Sequence, residues 1–256
     1  MPELPFSLER TVIIPARRET VFRYFTDSTR FAAWWGAGSQ IDARIGGRMV
    51  IRHPGGVVAT GEVVEVEPGR RIVFTYGYED TKHTIPPGGS RVTVTLEDAS
   101  GWTRLSLRHD IADEKARDHH IQGWRYNLAV FSNVASAEEH AGAAARVDAL
   151  FRAWGEPDTA ARQRLLEESV APDLVFRDQY SATFGLEDLQ AHLAAVVIFM
   201  PGMRLARDGN LQHCQGTAIA RWTATGADGA AKGRGSNVYD FAPDGRISRL
   251  IGLWEK

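Results

Sequence analysis

The chain has 256 residues, 43% hydrophobic and 24% charged, which is ordinary globular usage with room for two domains. A formal net charge of -2 and a pI near 6.5 leave no basic footprint for nucleic acid or an anionic membrane surface. The single cysteine, Cys214, excludes an internal disulfide and fits a reducing compartment.

Pro2, Glu3, Pro5 and Glu9 stand where a signal peptide needs a basic end and an apolar run. The best apolar segment, 193–200, is far too short to span a bilayer. A soluble, cytoplasmic protein is therefore expected. Residues 8–14 alternate loosely and end at Pro15, which predicts a first strand. Residues 16–25 place Val21, Phe22 and Phe25 at helical spacing, and a second short helix is expected over 28–35, with Ser28 as a cap candidate and Gly36 as the stop. Six strand signals follow, at 40–44, 48–53, 57–66, 71–78, 91–96 and 103–109, separated by Gly and Pro turn residues. A long helix over 113–136 closes this half, with Ile121, Trp124, Leu128, Phe131 and Ala135 on one stripe.

Short helices inside an antiparallel meander, closed by one long helix, predict an α+β grip in which a sheet wraps a helix. Ile72, Phe74, Tyr76 and Tyr78 share one strand face, and Leu105, Leu107 and His109 share another. Inward aromatics that carry hydroxyls suit a ligand pocket with a few polar anchors. The order of motifs is specific: Trp34-Trp35-Gly36, Gly46-Gly47-Arg48-Met49, the run from Gly61 to Pro68, Arg71 to Tyr78, Ser90 to Leu96, Thr103 to His109 and Gly123-Trp124. It resembles the START-like family related to the C-terminal domain of the heat-shock-protein-90 ATPase activator. That resemblance implies a helix-grip domain over residues 1–137 holding a lipophilic ligand between sheet and helix. Trp34, Trp35, Tyr76, His109 and Trp124 are its candidate ligand contacts. The competing reading makes the tryptophans core aromatics and His109 a solvated strand end. Glu114, Asp118, His119 and His120 cluster along the chain, but adjacent histidines leave a helix on different faces and spacing places no third ligand. No metal and no cofactor are expected.

An Ala-rich stretch over 135–145 reads as a helical linker. Val147, Leu150, Phe151 and Trp154 then form an amphipathic helix stopped at Gly155, and a second helix is expected over 158–169. A strand-like run from Asp173 ends at Asp178, and a helix over 186–199 follows. Three strands are predicted at 216–225, 233–241 and 246–254, the last two joined by Pro243-Asp244-Gly245. Lys232 and Arg234, in a Gly-rich stretch, read as solvated cations.

The run from Val170 to Asp178, Gly185 to Leu189, Ala220 to Gly226, Val238 to Phe241, Asp244 to Ile247 and Trp254 resemble the SnoaL-like polyketide cyclases. These sit in the superfamily of nuclear transport factor 2 and ketosteroid isomerase. The resemblance implies a cone-shaped α+β barrel over residues 138–256, often paired as a homodimer, with no cofactor. It also puts Asp178 at the isomerase base and Asn237 where an isomerase keeps a protonated Asp as hydrogen-bond donor. The second isomerase donor, a Tyr, falls at Leu150, and a frequent His and Asp pair falls at Leu250 and Gly252. Tyr180, Trp222, Tyr239 and Trp254 are the candidate walls of an apolar pocket for a small hydrophobic molecule. His192 reads as exposed, while His213 and Cys214 precede a strand with no partner in sequence, so none of the three is a candidate.

Three functions follow from these residues. The first is acid–base isomerisation, cyclisation or dehydration of a hydrophobic carbonyl compound with Asp178 as base. The second is non-catalytic binding of a lipophilic metabolite, and the third is a chaperone-related interaction. At Asp178 itself the plain alternative is a strand-end carboxylate that caps its own loop through the amides of Tyr180 or Ser181.

Overall fold

Two sheets organise the chain. In the computed structural model, which describes residues 3–255, the fold divides between Glu138 and Glu139 into two compact units. The first holds β1 (Phe6–Ile14), α1 (Arg18–Arg23), α2 (Ser28–Trp35), β2 (Gln40–Ile41), β3 (Arg48–Arg52), β4 (Val58–Glu67), β5 (Arg71–Tyr78), β6 (Ser90–Ala99), β7 (Trp102–Ile111) and α3 (Glu114–Glu139). Its seven strands are antiparallel in the order β1-β7-β6-β5-β4-β3-β2, so the two short helices interrupt the meander between its edge strands.

Period-two alternation selects the face that the helices cover. Ile72, Phe74 and Tyr76 of β5 are buried with Leu105, Leu107 and His109 of β7, as the side-chain period requires. Trp124, Leu128, Phe131 and Ala135 of α3 enter the same core. Fully burying an aromatic or leucine side chain contributes about 1.5–3 kcal/mol, so this stripe is what holds α3 in place. Local chemistry sets the small helices. The Asp27 side chain caps α2 by accepting from the Arg30 amide at 2.9 Å. The expected cap, Ser28, instead takes the Ile41 amide on its hydroxyl at 3.1 Å and ties α2 to β2. Gly36 stops the helix with φ 140°, backbone that only glycine adopts readily.

The second unit holds α4 (Ala143–Trp154), α5 (Thr159–Ser169), β8 (Val170–Arg177), β9 (Ala182–Phe184), α6 (Leu186–Phe199), β10 (Arg204–Cys214), β11 (Thr217–Thr225), β12 (Ala231–Phe241) and β13 (Ile247–Trp254). Its sheet runs β10-β11-β12-β13-β8-β9, antiparallel except where β13 meets β8. The sheet ends at the edge strands β10 and β9 and does not close on itself. Val147, Leu150, Phe151 and Trp154 of α4 and Leu189, Leu193 and Val196 of α6 share one core with Trp222, Tyr239 and Leu250 of the sheet. Strand β10 stands where no strand was expected, and it runs through His213 and Cys214. Its Asp208-Gly209-Asn210 is the site of a register shift, with Gly209 at φ 78°.

Among the described residues no helix is long and apolar enough to cross a membrane.

Close approach at the end of β5 gives a direct test of the first unit. A Cβ on Gly77 would stand 1.7 Å from the Pro86 carbonyl oxygen, so that backbone must move to admit it. We expect Gly77→Ala to lower stability by about 2 kcal/mol or more, read as a fall in the urea midpoint at unchanged slope.

Candidate functional site

In the second unit the site is built where β8 runs out. The Asp178 amide donates to the Ser181 carbonyl at 2.9 Å, and Asp178 Oδ1 accepts from the amides of Tyr180 and Ser181, each at 2.8 Å. This is an Asx-type turn that locks the carboxylate to its own loop. The other oxygen, Oδ2, accepts from Trp254 Nε1 at 3.2 Å. Asp178 therefore both caps its loop and faces a cavity, and the two readings of its sequence describe one geometry.

The neighbouring strands complete the wall. Pairing of β12 with β13 sets Asn237 opposite Gly252 and Tyr239 opposite Leu250. A Cβ on Gly252 would stand 3.1 Å from Asp178 Cβ and 3.3 Å from Asn237 Oδ1. The absence of a side chain there is what lets the carboxylate and the amide flank one space. Asn237 Nδ2 donates to the Tyr239 hydroxyl at 3.1 Å. Tyr239 is fully buried, and burial pushes its hydroxyl well above the usual tyrosine range. It props Asn237 from below and does not line the open space.

The cavity is about 230 Å³, with Asp178, Tyr180, Asn237, Trp222 and Trp254 in its lining, closed by Trp154, Phe176, Val196 and Met203. The rings of Trp222 and Trp254 meet edge to face at 4.8 Å, and those of Tyr180 and Trp254 at 5.2 Å. His192 of α6 also lines it, contrary to its expected exposure, with Nδ1 3.3 Å from the Ser181 hydroxyl. It lies one turn before Val196, another lining residue, and that i, i+4 relation was the available signal. His213 gains the partner that its sequence did not reveal, since its Nε2 lies 3.0 Å from His140 Nδ1. Leu150, at the place of the expected tyrosine donor, is packed in the core.

In the first unit the candidate contacts separate into core and surface. Trp34 packs on Trp35 at 4.3 Å between ring centroids and donates Nε1 to the Tyr24 carbonyl at 3.3 Å, inside the core. His109 is fully buried rather than solvated. Its Nδ1 accepts from Trp124 Nε1 at 3.0 Å, while Ser90 Oγ donates to the Tyr76 carbonyl and takes the His109 Nε2 proton at 2.8 Å. Those partners require the neutral Nε2–H tautomer, and burial, with the nearby His120, pushes the ring down to about 3. Trp35, Tyr76 and Trp124 do line a cleft of about 570 Å³, together with His53, Tyr78 and His120. There Tyr76 pairs with His53 Nε2 at 3.1 Å. His120 gives its Nδ1 proton to the Ala116 carbonyl at 2.7 Å and accepts from the Tyr78 hydroxyl at 3.0 Å. Both of its nitrogens are thus occupied, and among the described residues no cluster of three or more His, Cys, Asp or Glu is arranged to hold a metal ion.

Comparison with known proteins follows this division. Residues 15–135 match the family described as activator of Hsp90 ATPase homolog 1-like protein, and residues 147–250 match the SnoaL-like domain. The chain joins a START-like domain to a SnoaL-like one. Among solved structures, the chain is similar to a putative isomerase of the SnoaL-like family from Agrobacterium tumefaciens, at 22% identity over 46% of this chain and 99% of that one, TM-score 0.42. It is also similar to the AHSA1 protein from Silicibacter pomeroyi, at 24% identity over 53% of this chain and 100% of that one, TM-score 0.43. A third similarity is to the Aha1 dimer from Colwellia psychrerythraea, at 17% identity over 48% and 90%, TM-score 0.42. No curated protein matches the chain. In the SnoaL-like domain, Asp178, Asn237 and His192 are among the polar residues lining the cavity; in the START-like domain, Trp35, Tyr76 and Trp124 border the cleft.

The buried His109 gives the stability of the START-like domain a defined pH dependence. Its ring titrates near the ordinary 6.5 when unfolded and near 3 when folded, so the unfolded chain binds the extra proton between those values. The contribution is fully present above about pH 6.5 and falls by about 1.4 kcal/mol per unit as pH drops toward 3. Urea midpoints measured from pH 7 to pH 4 should decline, and His109→Gln should flatten that decline.

Proposed function

We propose that the SnoaL-like domain binds a small, largely apolar carbonyl compound and moves a proton next to the carbonyl, with Asp178 as the base. The carrying observation is the pairing of a carboxylate with an amide across Gly252 in an otherwise apolar cavity. A carboxylate there can take a proton alpha to a carbonyl, and the Asn237 amide can donate toward the oxygen on which charge develops. Isomerisation, cyclisation and dehydration all begin with such a step. In this reading residues 138–256 form the working domain and residues 1–137 a separate helix-grip domain. His192 of α6, which also lines the cavity, would meet a polar group of the ligand in this reading.

One observation favours a second reading, binding without turnover. Three N–H donors already occupy the Asp178 carboxylate, and the tyrosine that an isomerase would add is replaced by Leu150. The two readings separate on one substitution. With a panel of cyclic, enolisable ketones, Asp178→Asn should lower kcat by about 100-fold or more while leaving binding measurable. Turnover that persists in this variant removes Asp178 as the base. Binding by the parent protein without any turnover selects the second reading. Native mass spectrometry of freshly purified protein should reveal a co-purifying hydrophobic molecule in either case.

A further inference from the structure

Helix α6 ends in water. Its buried face is complete at Leu189, Leu193 and Val196. The apolar residues that follow, Ile198, Phe199 and Met200, are 74%, 80% and 49% exposed. Core packing does not explain them, and soluble surfaces avoid three consecutive exposed apolar side chains unless a ligand or partner covers them.

The last two of these residues border a trough. It is an open depression of about 580 Å³ that runs from Phe199, Met200, Pro201 and Met203 to Ala227 and Lys232. Backbone hydrogen bonds pin both sides. The Met203 amide donates to the Met200 carbonyl at 3.2 Å. Opposite, the Gly226 amide donates to the Ala230 carbonyl and the Gly229 amide to the Gly226 carbonyl, each at 2.9 Å. Lys232 and Asp228 supply the charged groups of the lining, and they pair with each other at 3.2 Å. A Cβ on Gly226 would stand 2.3 Å from Lys232 Cε, so the lysine stem lies against that glycine and adds alkyl surface.

The trough adjoins the Asp178 cavity. Met200 and Met203 line both spaces. Methionine is unbranched and pliable, so the shared wall is one that a ligand can displace. Size points the same way. The cavity alone, about 230 Å³, falls short of the roughly 300–1,000 Å³ usual for small-molecule sites, and the trough brings the joint space into that range.

We propose that the ligand of the SnoaL-like domain has two parts, a carbonyl-bearing head in the Asp178 cavity and an uncharged aliphatic tail in the trough. The tail passes Met200 and lies against Phe199, Pro201 and Ala227. This rests on the reading of the cavity as a carbonyl site and adds the shape class of the compound. A charged tail is disfavoured because it would have to break the Lys232–Asp228 pair, whereas an alkyl chain gains by covering side chains that otherwise face water.

The test uses the full chain and 4-alkylcyclohexanones with methyl, butyl and hexyl tails, with binding read by calorimetry. A fully buried methylene is worth roughly fourfold in Kd, and one in a trough open on one side about twofold. The hexyl compound should therefore bind about 30-fold more tightly than the methyl compound. The double variant Phe199→Asp/Ala227→Asp changes two exposed positions that line the trough and not the cavity. It should cut the gain to less than about threefold while binding the methyl compound within about twofold of the parent. The proposal is overturned by a parent protein that binds no member of the series, by affinity that does not rise with tail length, or by a gain that survives the double variant. A parent dimer that the double variant splits, with no rise along the series, gives this surface to a second copy of the chain and also overturns it. Asp178→Asn separates the tail from the chemistry. Turnover that persists in that variant beside an intact length dependence removes the base alone, and turnover lost there beside a flat length series in the parent removes the tail alone.

Discussion

A carboxylate set into an apolar wall must have its lone pairs met, and Asp178 meets that condition from two directions. The amides of Tyr180 and Ser181 fold the loop onto one oxygen, and the Trp254 indole reaches the other from the end of β13. Loop, strand end and cavity wall are thereby fixed to one another through a single side chain. The same three bonds leave the carboxylate fewer lone pairs open to any other partner. The cavity holds few other polar groups, chiefly Asn237 and His192.

The parts that were legible in the sequence are those governed by period and register. Alternation along β12 placed Asn237, Tyr239 and Phe241 on one face, and all three are buried together. What alternation cannot say is whether an inward position meets a void or another side chain. Trp34, His109 and Tyr239 point inward as expected but are enclosed by packing, while Trp35, Trp124 and Trp222 reach open space. That distinction depends on neighbours far along the chain, such as Ser90 beneath His109. Strand β10 was hidden for a different reason. It is an exposed edge with a register shift at Asp208-Gly209-Asn210, so both its turn-like composition and its weak burial imitate a loop. His192 was misjudged because α6 is apolar nearly all round, which leaves little contrast between its faces.

The two linings differ in sign. Among the described residues, the cavity of the SnoaL-like domain carries a carboxylate with no lysine or arginine in its lining, whereas the cleft of the START-like domain and the depression beside it carry lysines with no carboxylate. Burying an ion without a partner is expensive, so the two linings differ in the charge they would tolerate. Discrimination of this kind needs no special shape, only the absence of one class of side chain.

The parallel contact between β8 and β13 has a consequence for how the second unit comes together. Leu250 pairs with Phe176 only after α6 and four intervening strands have been traversed, whereas α4 and α5 meet across a short turn. Closing so long a segment is entropically slower than closing a helical hairpin or the β12–β13 turn. The carboxylate and the indole that grips it are thus expected to join among the last events of folding. A chain with its helices already formed and that seam still open would present Trp222, Trp254 and the free edge of β8 to solvent, a surface suited to self-association.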